Sequence, residues 1–136
     1  MILRRVAGSG GSSFAAVARP TQYCDVALSD CKGDATAPVQ LPVPPGTSVQ
    51  ITVPDAVAQT PWQVVFSYRD ANGTQNDDRS TVFVADRQRS TWTLQLAPTD
   101  HLLTAEVQQY GVPQMNPDTG EVEYPIRASW VLNPSG

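Results

Sequence analysis

The sequence predicts an all-β domain folded as a two-sheet sandwich, and three observations point there. Twelve prolines and nine glycines among 136 residues are too many for a helical bundle, because proline is confined to turns, edges and strand starts. Apolar residues alternate with period two through several short runs, the signature of strands with one wet face. Turn formers interrupt those runs about every eight to twelve residues, the spacing of a sandwich or barrel. The length suits one domain of roughly 100–200 residues and is enough to bury a core without a metal or a dense disulfide framework.

Residues 1–13 read apart from the rest. Met1 to Val6 (MILRRV) is short, basic and apolar, and Gly8 to Ser13 (GSGGSS) has the composition of a flexible linker. A secretory signal places about 7–15 apolar residues after its arginines. Glycine and serine stand there instead, so the likeness of Ala16-Val17-Ala18 to a cleavage site carries little. Residues 1–13 are expected to be a truncated leader, a cloning remnant or the product of a mis-assigned start codon, outside a single sandwich domain over 14–136.

Phe14 to Ala18 is expected as a first edge strand. Thr21 to Cys31 carries both cysteines. Val39-Gln40-Leu41 is a short alternating piece closed by Pro42, Pro44, Pro45 and Gly46, and Pro45-Gly46 suits a type II turn, where glycine accepts the positive φ. Ser48 to Val53 alternates with Val49, Ile51 and Val53 on one face, and Pro54 stops it. In Trp62 to Tyr68 one face holds Trp62, Val64, Phe66 and Tyr68, while Val65 on the other suggests a central strand. Arg69 to Asp78 reads as a polar loop with Asn72-Gly73 at a hairpin tip. Thr81 to Ala85 follows as a strand, and Asp86 to Arg89 turns the chain.

Ser90 to Leu96 alternates with Trp92, Leu94 and Leu96 facing in. Pro98 to Asp100 is a turn or one short helical turn. Leu102 to Tyr110 fits helix or strand by period alone, and the all-β context favours strand. Asn116 to Gly120 is a compact turn. Ile126, Ala128, Trp130 and Leu132 alternate in the last run. The total is about seven strands, the pattern of a β-sandwich of immunoglobulin or fibronectin type. Trp62, Trp92 and Trp130 sit on apolar faces and are expected in the core. The alternative, a platform for stacking carbohydrate, needs two of these rings exposed and coplanar.

A formal net charge of −4 argues against a nucleic-acid partner, which selects a basic patch. No stretch approaches the roughly 18 consecutive apolar residues of a membrane span.

Few residues suggest chemistry. Cys24 and Cys31 lack the C-x-x-C spacing of a redox pair, and two cysteines with one histidine are too few for zinc, which takes about four ligands. A local disulfide closing a hairpin is the expected state, with two buried free thiols as the alternative. His101, the one histidine, follows Asp100 in a turn. No G-x-S-x-G elbow accompanies it, so a hydrolase centred on His101 is the weakest functional reading. Asp70, Asn72 and Asp77 or Asp78 sit in one loop, yet the calcium-loop pattern is not met there: Gly73 comes too early and no closing glutamate follows. Glu106, Glu121 and Glu123 lack the arrangement of a paired-carboxylate glycosidase. Arg79, Arg87 and Arg89 flank one hairpin and are candidate interaction residues for a carboxylate or phosphate. Pairing with Asp77, Asp78 and Asp86 on a solvated surface is the stronger reading. No metal or cofactor is expected.

Six segments carry a resemblance: Pro20-Thr21-Gln22-Tyr23-Cys24-Asp25, Val43-Pro44-Pro45-Gly46, Pro61-Trp62-Gln63-Val64-Val65-Phe66, Tyr68-Arg69-Asp70, Glu106-Val107-Gln108-Gln109-Tyr110-Gly111 and Arg127-Ala128-Ser129-Trp130-Val131-Leu132. In order and spacing they resemble an actinobacterial cell-envelope family known as domain of unknown function 2771. Basic charge from arginine, with Lys32 the one lysine, suits a high-GC actinobacterium. The resemblance implies an exported domain tethered by an N-terminal hydrophobic anchor, with its cysteines bridged and no assigned activity. Residues 1–13 are not expected to supply that anchor, and they look foreign to the family.

The functional expectation is a non-enzymatic structural or protein-interaction module of the cell envelope, an accessory subunit whose partner is an envelope or membrane protein. A module binding an envelope lipid or glycan is the alternative.

Overall fold

The computed structural model describes residues 1–6, 14–17, 19–24, 30–34, 36–84 and 89–134. Among them the chain forms β1 (Ile2–Val6), β2 (Phe14–Val17), β3 (Gln22–Cys24), β4 (Cys31–Gly33), β5 (Val39–Gln40) and β6 (Ser48–Thr52). One helical turn, α1 (Asp55–Ala58), precedes β7 (Trp62–Arg69), β8 (Gln75–Arg79), β9 (Thr91–Leu94) and β10 (His101–Tyr110). A small hairpin of β11 (Gln114–Met115) and β12 (Val122–Glu123) leads into β13 (Ile126–Asn133).

The main sheet runs β4-β3-β13-β10-β7-β8. β5 pairs with β13 in parallel at Leu132 and Asn133, in line with β3, which pairs at Ala128 and Ser129. The second sheet is built on β1, β6 and β9, with β2 at the free edge of β1. The two sheets share one core. Leu3, Val49, Ile51 and Leu94 come from the smaller sheet, and Trp62, Val64, Val107, Ala128, Trp130 and Leu132 from the larger. Each large apolar side chain buried there contributes about 1.5–3 kcal/mol.

Most alternating runs fold as their period demands. Val49, Ile51 and Val53 are all buried, as are Trp62, Val64 and Phe66. In β10, Ala105, Val107 and Gln109 face inward, so the run that fits either state by period is a strand. Gly46 and Gly73 take φ of 78° and 80° at the expected turns. Trp62 satisfies its indole N–H by donating to the Arg89 carbonyl at 3.1 Å.

Three expectations need correction. Ile2–Val6 does not stand outside the fold: β1 lies between β2 and β6 in register, and Leu3 is 1% exposed. Leu3 and the ladder to β6 draw the segment in, although its arginines disguise the pattern. The linker composition over residues 8–13 lies outside the described residues, as does Ala18.

The strand after the Asn72-Gly73 turn begins earlier than its apolar residues suggest. β8 is Gln75–Arg79, paired from Val65 to Arg69 of β7, and Phe83 keeps only a bridge to Trp62. A strand edge needs backbone partners rather than apolar side chains, and a charged edge strand resists pairing with other chains. Ala85 lies outside the described residues.

Ile126 is exposed, because the β10–β13 register shifts between Gln109 and Tyr110, taking it off the face of Ala128. One element was not anticipated: α1 follows Pro54 and is held by Gln109, whose amide donates to Ala56 O at 3.4 Å and Thr60 Oγ1 at 3.2 Å.

Candidate functional site

The end of the main sheet where β10 hands over to β13 carries the apolar surface. Its hairpin is set by the Asn116–Gly120 turn. Asn116 Oδ1 accepts the Asp118 N–H at 2.9 Å, the Gly120 N–H donates to Asn116 O at 2.8 Å, and Gly120 takes φ of 74°. Strands of two residues have no room to bury a face. Met115 and Val122 stand opposite each other, 70% and 56% exposed. Val112, Tyr124 and Ile126, beside them in the chain, are also exposed. The Tyr124 ring lies 5.8 Å from that of Tyr110.

A groove of about 320 Å³ opens at this end, walled by Thr60, Pro61, Tyr110, Val112 and Pro113, with Arg127 at its rim. The Arg127 guanidinium lies over the Tyr23 ring, 5.7 Å from its centroid. Its Nε donates to Cys24 O at 3.3 Å, and one terminal nitrogen donates to the Tyr23 hydroxyl at 3.4 Å. Cys24 and Cys31 are direct cross-strand partners in the β3–β4 hairpin and form a disulfide. The covalent hairpin therefore fixes the carbonyl and the ring that orient Arg127.

A second concavity, about 620 Å³, lies on the outer face of the main sheet. Strand register builds it in rows. Arg79, Val65, Glu106 and Val131 form one row across β8, β7, β10 and β13. Asp77, Ser67 and Thr104 form the next. This groove is the larger, but several of its polar groups already hold hydrogen bonds. The Ser67 hydroxyl donates to Asp77 Oδ1 at 2.6 Å and, with the Gln75 amide, holds the Asp77 carboxyl below its ordinary range. Gln108 donates to Glu106 at 2.9 Å.

The ladder continues to the apolar end. The Tyr110 hydroxyl lies 2.8 Å from Gln63 Oε1 and 2.9 Å from Gln108 Oε1, two acceptors sharing its one proton. Gln63 in turn donates to Ser80 O at 2.7 Å. Burial pushes the Tyr110 phenol up from its ordinary value, partly offset by Arg79.

Among the described residues, those singled out by sequence are not gathered in one groove. Arg79 lines the outer groove, Arg89 lies over the Phe83 ring at 5.5 Å, and Arg87 lies outside the described residues. Among the described residues neither Arg79 nor Arg89 pairs with Asp77 or Asp78 within 4.0 Å: Asp77 takes the Ser67 hydroxyl, and Asp78 accepts the backbone N–H of Arg79 at 2.8 Å. Among the described residues the ion pair within 4.0 Å is Arg19–Asp34, at 3.4 Å. Asp86 lies outside the described residues.

His101 is exposed at the start of β10, while the Asp100 carboxylate accepts the Ala97 N–H at 3.2 Å. Asp70 is a turn builder. Its carboxylate accepts the N–H groups of Asn72 and Thr74 at 2.9 and 3.0 Å and the Asn76 amide at 3.1 Å. Those bonds, Asn76 foremost, hold its carboxyl below the ordinary range. Among the described residues no group of three or more His, Cys, Asp or Glu is placed to hold a metal. Trp62 and Trp130 are buried and Trp92 is half-buried against Phe66, so the three indoles offer no exposed coplanar pair.

Tyr110, Arg127 and the Met115–Val122 pair escaped the sequence reading. Only the Asn116–Gly120 turn hinted at them, flanked by single apolar residues too isolated to define strands. No curated protein and no solved structure matches the chain. A family model described as a protein of unknown function (DUF2771) matches residues 6–135, nearly the whole length, and the chain belongs to that family.

Proposed function

We propose that this domain is an exported, non-enzymatic interaction module of the cell envelope, an accessory subunit that docks on an envelope or membrane protein through its apolar end. The observation that carries the reading is the hairpin surface. Met115 and Val122 are paired and exposed, with Val112, Tyr124 and Ile126 alongside. Single exposed apolar side chains are ordinary, whereas several gathered on one end mark an interaction surface. The Cys24–Cys31 bridge supports export, since disulfides persist in oxidising compartments and are rare in the cytosol. Arginine-dominated basic charge supports an actinobacterial source. Two packed antiparallel sheets with Trp62 buried between them support an immunoglobulin- or fibronectin-like topology.

The test is site-specific photo-crosslinking in the native host, with a benzophenone amino acid at position 115 and a control at Gln75. A discrete adduct with one envelope protein, formed from position 115 and not from position 75, is expected. Equal labelling from both positions, or none, refutes the reading. The outer-face groove favours a second reading, a module for a polar envelope ligand such as a glycan. Native mass spectrometry of protein from its host tests it, and a bound glycan lost on Arg79→Ala is the supporting result.

A further inference from the structure

We infer that the groove beside Arg127 seats an apolar side chain of a partner polypeptide segment, whose neighbouring carboxylate pairs with that guanidinium. This rests on the interaction-module reading above and names the chemistry of its partner.

Charge complementarity is the first argument. The molecule carries a net charge of −4, yet among the described residues the one charged side chain lining this groove is Arg127, against walls that include Pro61, Tyr110, Val112 and Pro113. The guanidinium is also prepared. Stacking over Tyr23 and the bonds to Cys24 O and the Tyr23 hydroxyl set its plane. Those bonds use two of its five N–H donors, and among the described residues no carboxylate lies within 4.0 Å of it. A planar fork held in place binds a carboxylate through two parallel hydrogen bonds, with little side-chain entropy left to lose.

Size and shape select a polypeptide segment over a free amphiphile. Small-molecule pockets enclose about 70–90% of their ligand. A groove of about 320 Å³ accommodates a leucine- or phenylalanine-sized group but leaves a long acyl tail in water. The apolar surface continues outward over Val112 and the Met115–Val122 pair, where further side chains of a segment find contact.

The test is an NMR titration of the disulfide-intact protein with three probes: N-acetylphenylalanine, its neutral amide and octanoate. N-acetylphenylalanine is expected to shift the amide resonances of Tyr110, Val112 and Arg127. The neutral amide is expected to bind about fivefold or more weakly, the contribution of a charge-assisted pair in a partly exposed site. Arg127→Gln should equalise acid and amide, while Arg127→Lys, which keeps the charge and loses the fork, should restore part of the preference. The acid–amide comparison on the unmodified protein stands even if neither variant folds.

Equal binding of acid and amide, or shifts centred on the outer face of the main sheet, overturns the inference. Tighter binding of octanoate than of N-acetylphenylalanine overturns it in favour of an amphiphile site. A partner adduct from position 115 that survives unchanged in folded Arg127→Gln overturns it while leaving the interaction module standing. Absence of any adduct removes the module and this inference together.

Discussion

Replacing Leu3 by alanine tests whether the first strand belongs to the fold. Leu3 is 1% exposed and belongs to the same buried cluster as Val49, Ile51 and Leu94. The substitution removes three buried carbons, worth about 2.4 kcal/mol in transfer free energy at about 0.8 kcal/mol each. The unfilled space adds a further penalty, and leucine-to-alanine changes in cores cost about 2–5 kcal/mol in all. A loss of about 3 kcal/mol is expected. Unfolding entropy near about 2.1 cal/mol/K per residue, applied to this length, converts that loss to a fall in Tm of about 10 °C.

The assay is urea unfolding followed by tryptophan fluorescence, with Trp62 and Trp130 as buried reporters, and a thermal melt on the same samples. The urea m-value should hold constant, since the surface exposed on unfolding scarcely changes. Arg4→Ala is the control. Arg4 is exposed on the same strand, and such surface changes stay within about 0.5 kcal/mol. A loss below about 1 kcal/mol for Leu3→Ala would refute the placement, because a side chain already in water has neither transfer energy nor cavity to lose.

Two further outcomes follow from the structure. Converting both Cys24 and Cys31 to serine should cost about 2–3 kcal/mol by the loop-closure argument for so short a loop, read as a lower urea midpoint; no change would show that the reduced hairpin is held equally well by its β13 pairing. Asp70→Asn should flatten the acid limb of stability. The folded state holds the Asp70 carboxyl below its ordinary value of 3.8, so its contribution is complete above that value and is lost as pH falls through the lower folded one; unfolding midpoints compared at about pH 5 and about pH 2.5 should drop further for the unmodified protein than for the variant, and parallel drops would deny Asp70 that part.

The sheets were legible because strand period is a local property. Val49, Ile51 and Val53 announce their common face within five residues, and Trp62, Val64 and Phe66 do the same. What stayed hidden depends on neighbours the sequence does not place. Gln75–Arg79 has no apolar pattern, and it is a strand because the edge of β7 supplies its hydrogen bonds. Leu3 stands beside arginines, recognisable as buried only once β6 lies next to it. Ile126 obeys the alternation of its run and is still exposed, because an extra residue in its own strand shifts the register against β10. The candidate site was less legible for the same reason. Arg127 reads as an ordinary polar position until Tyr23 and Cys24, more than a hundred residues earlier, arrive beside it.

That long-range meeting gives the disulfide a consequence beyond stability. A bridge closing a short loop limits a modest amount of unfolded-state entropy, and among the described residues β3 pairs with β13 at two residues. The same short β3 supplies both groups that orient the Arg127 guanidinium, the Tyr23 ring and the Cys24 carbonyl. A hairpin this small, left open, frays on its own. Fraying would release the arginine long before it unfolded the core, since none of β3 or β4 contributes to the cluster around Trp62. Reduction should therefore loosen the carboxylate preference of the apolar end more than it lowers the global unfolding midpoint. The separation of those two effects follows from the topology: the bridge lies at one edge of the main sheet, and the buried strands β10 and β7 that carry the core lie beyond β13 from it.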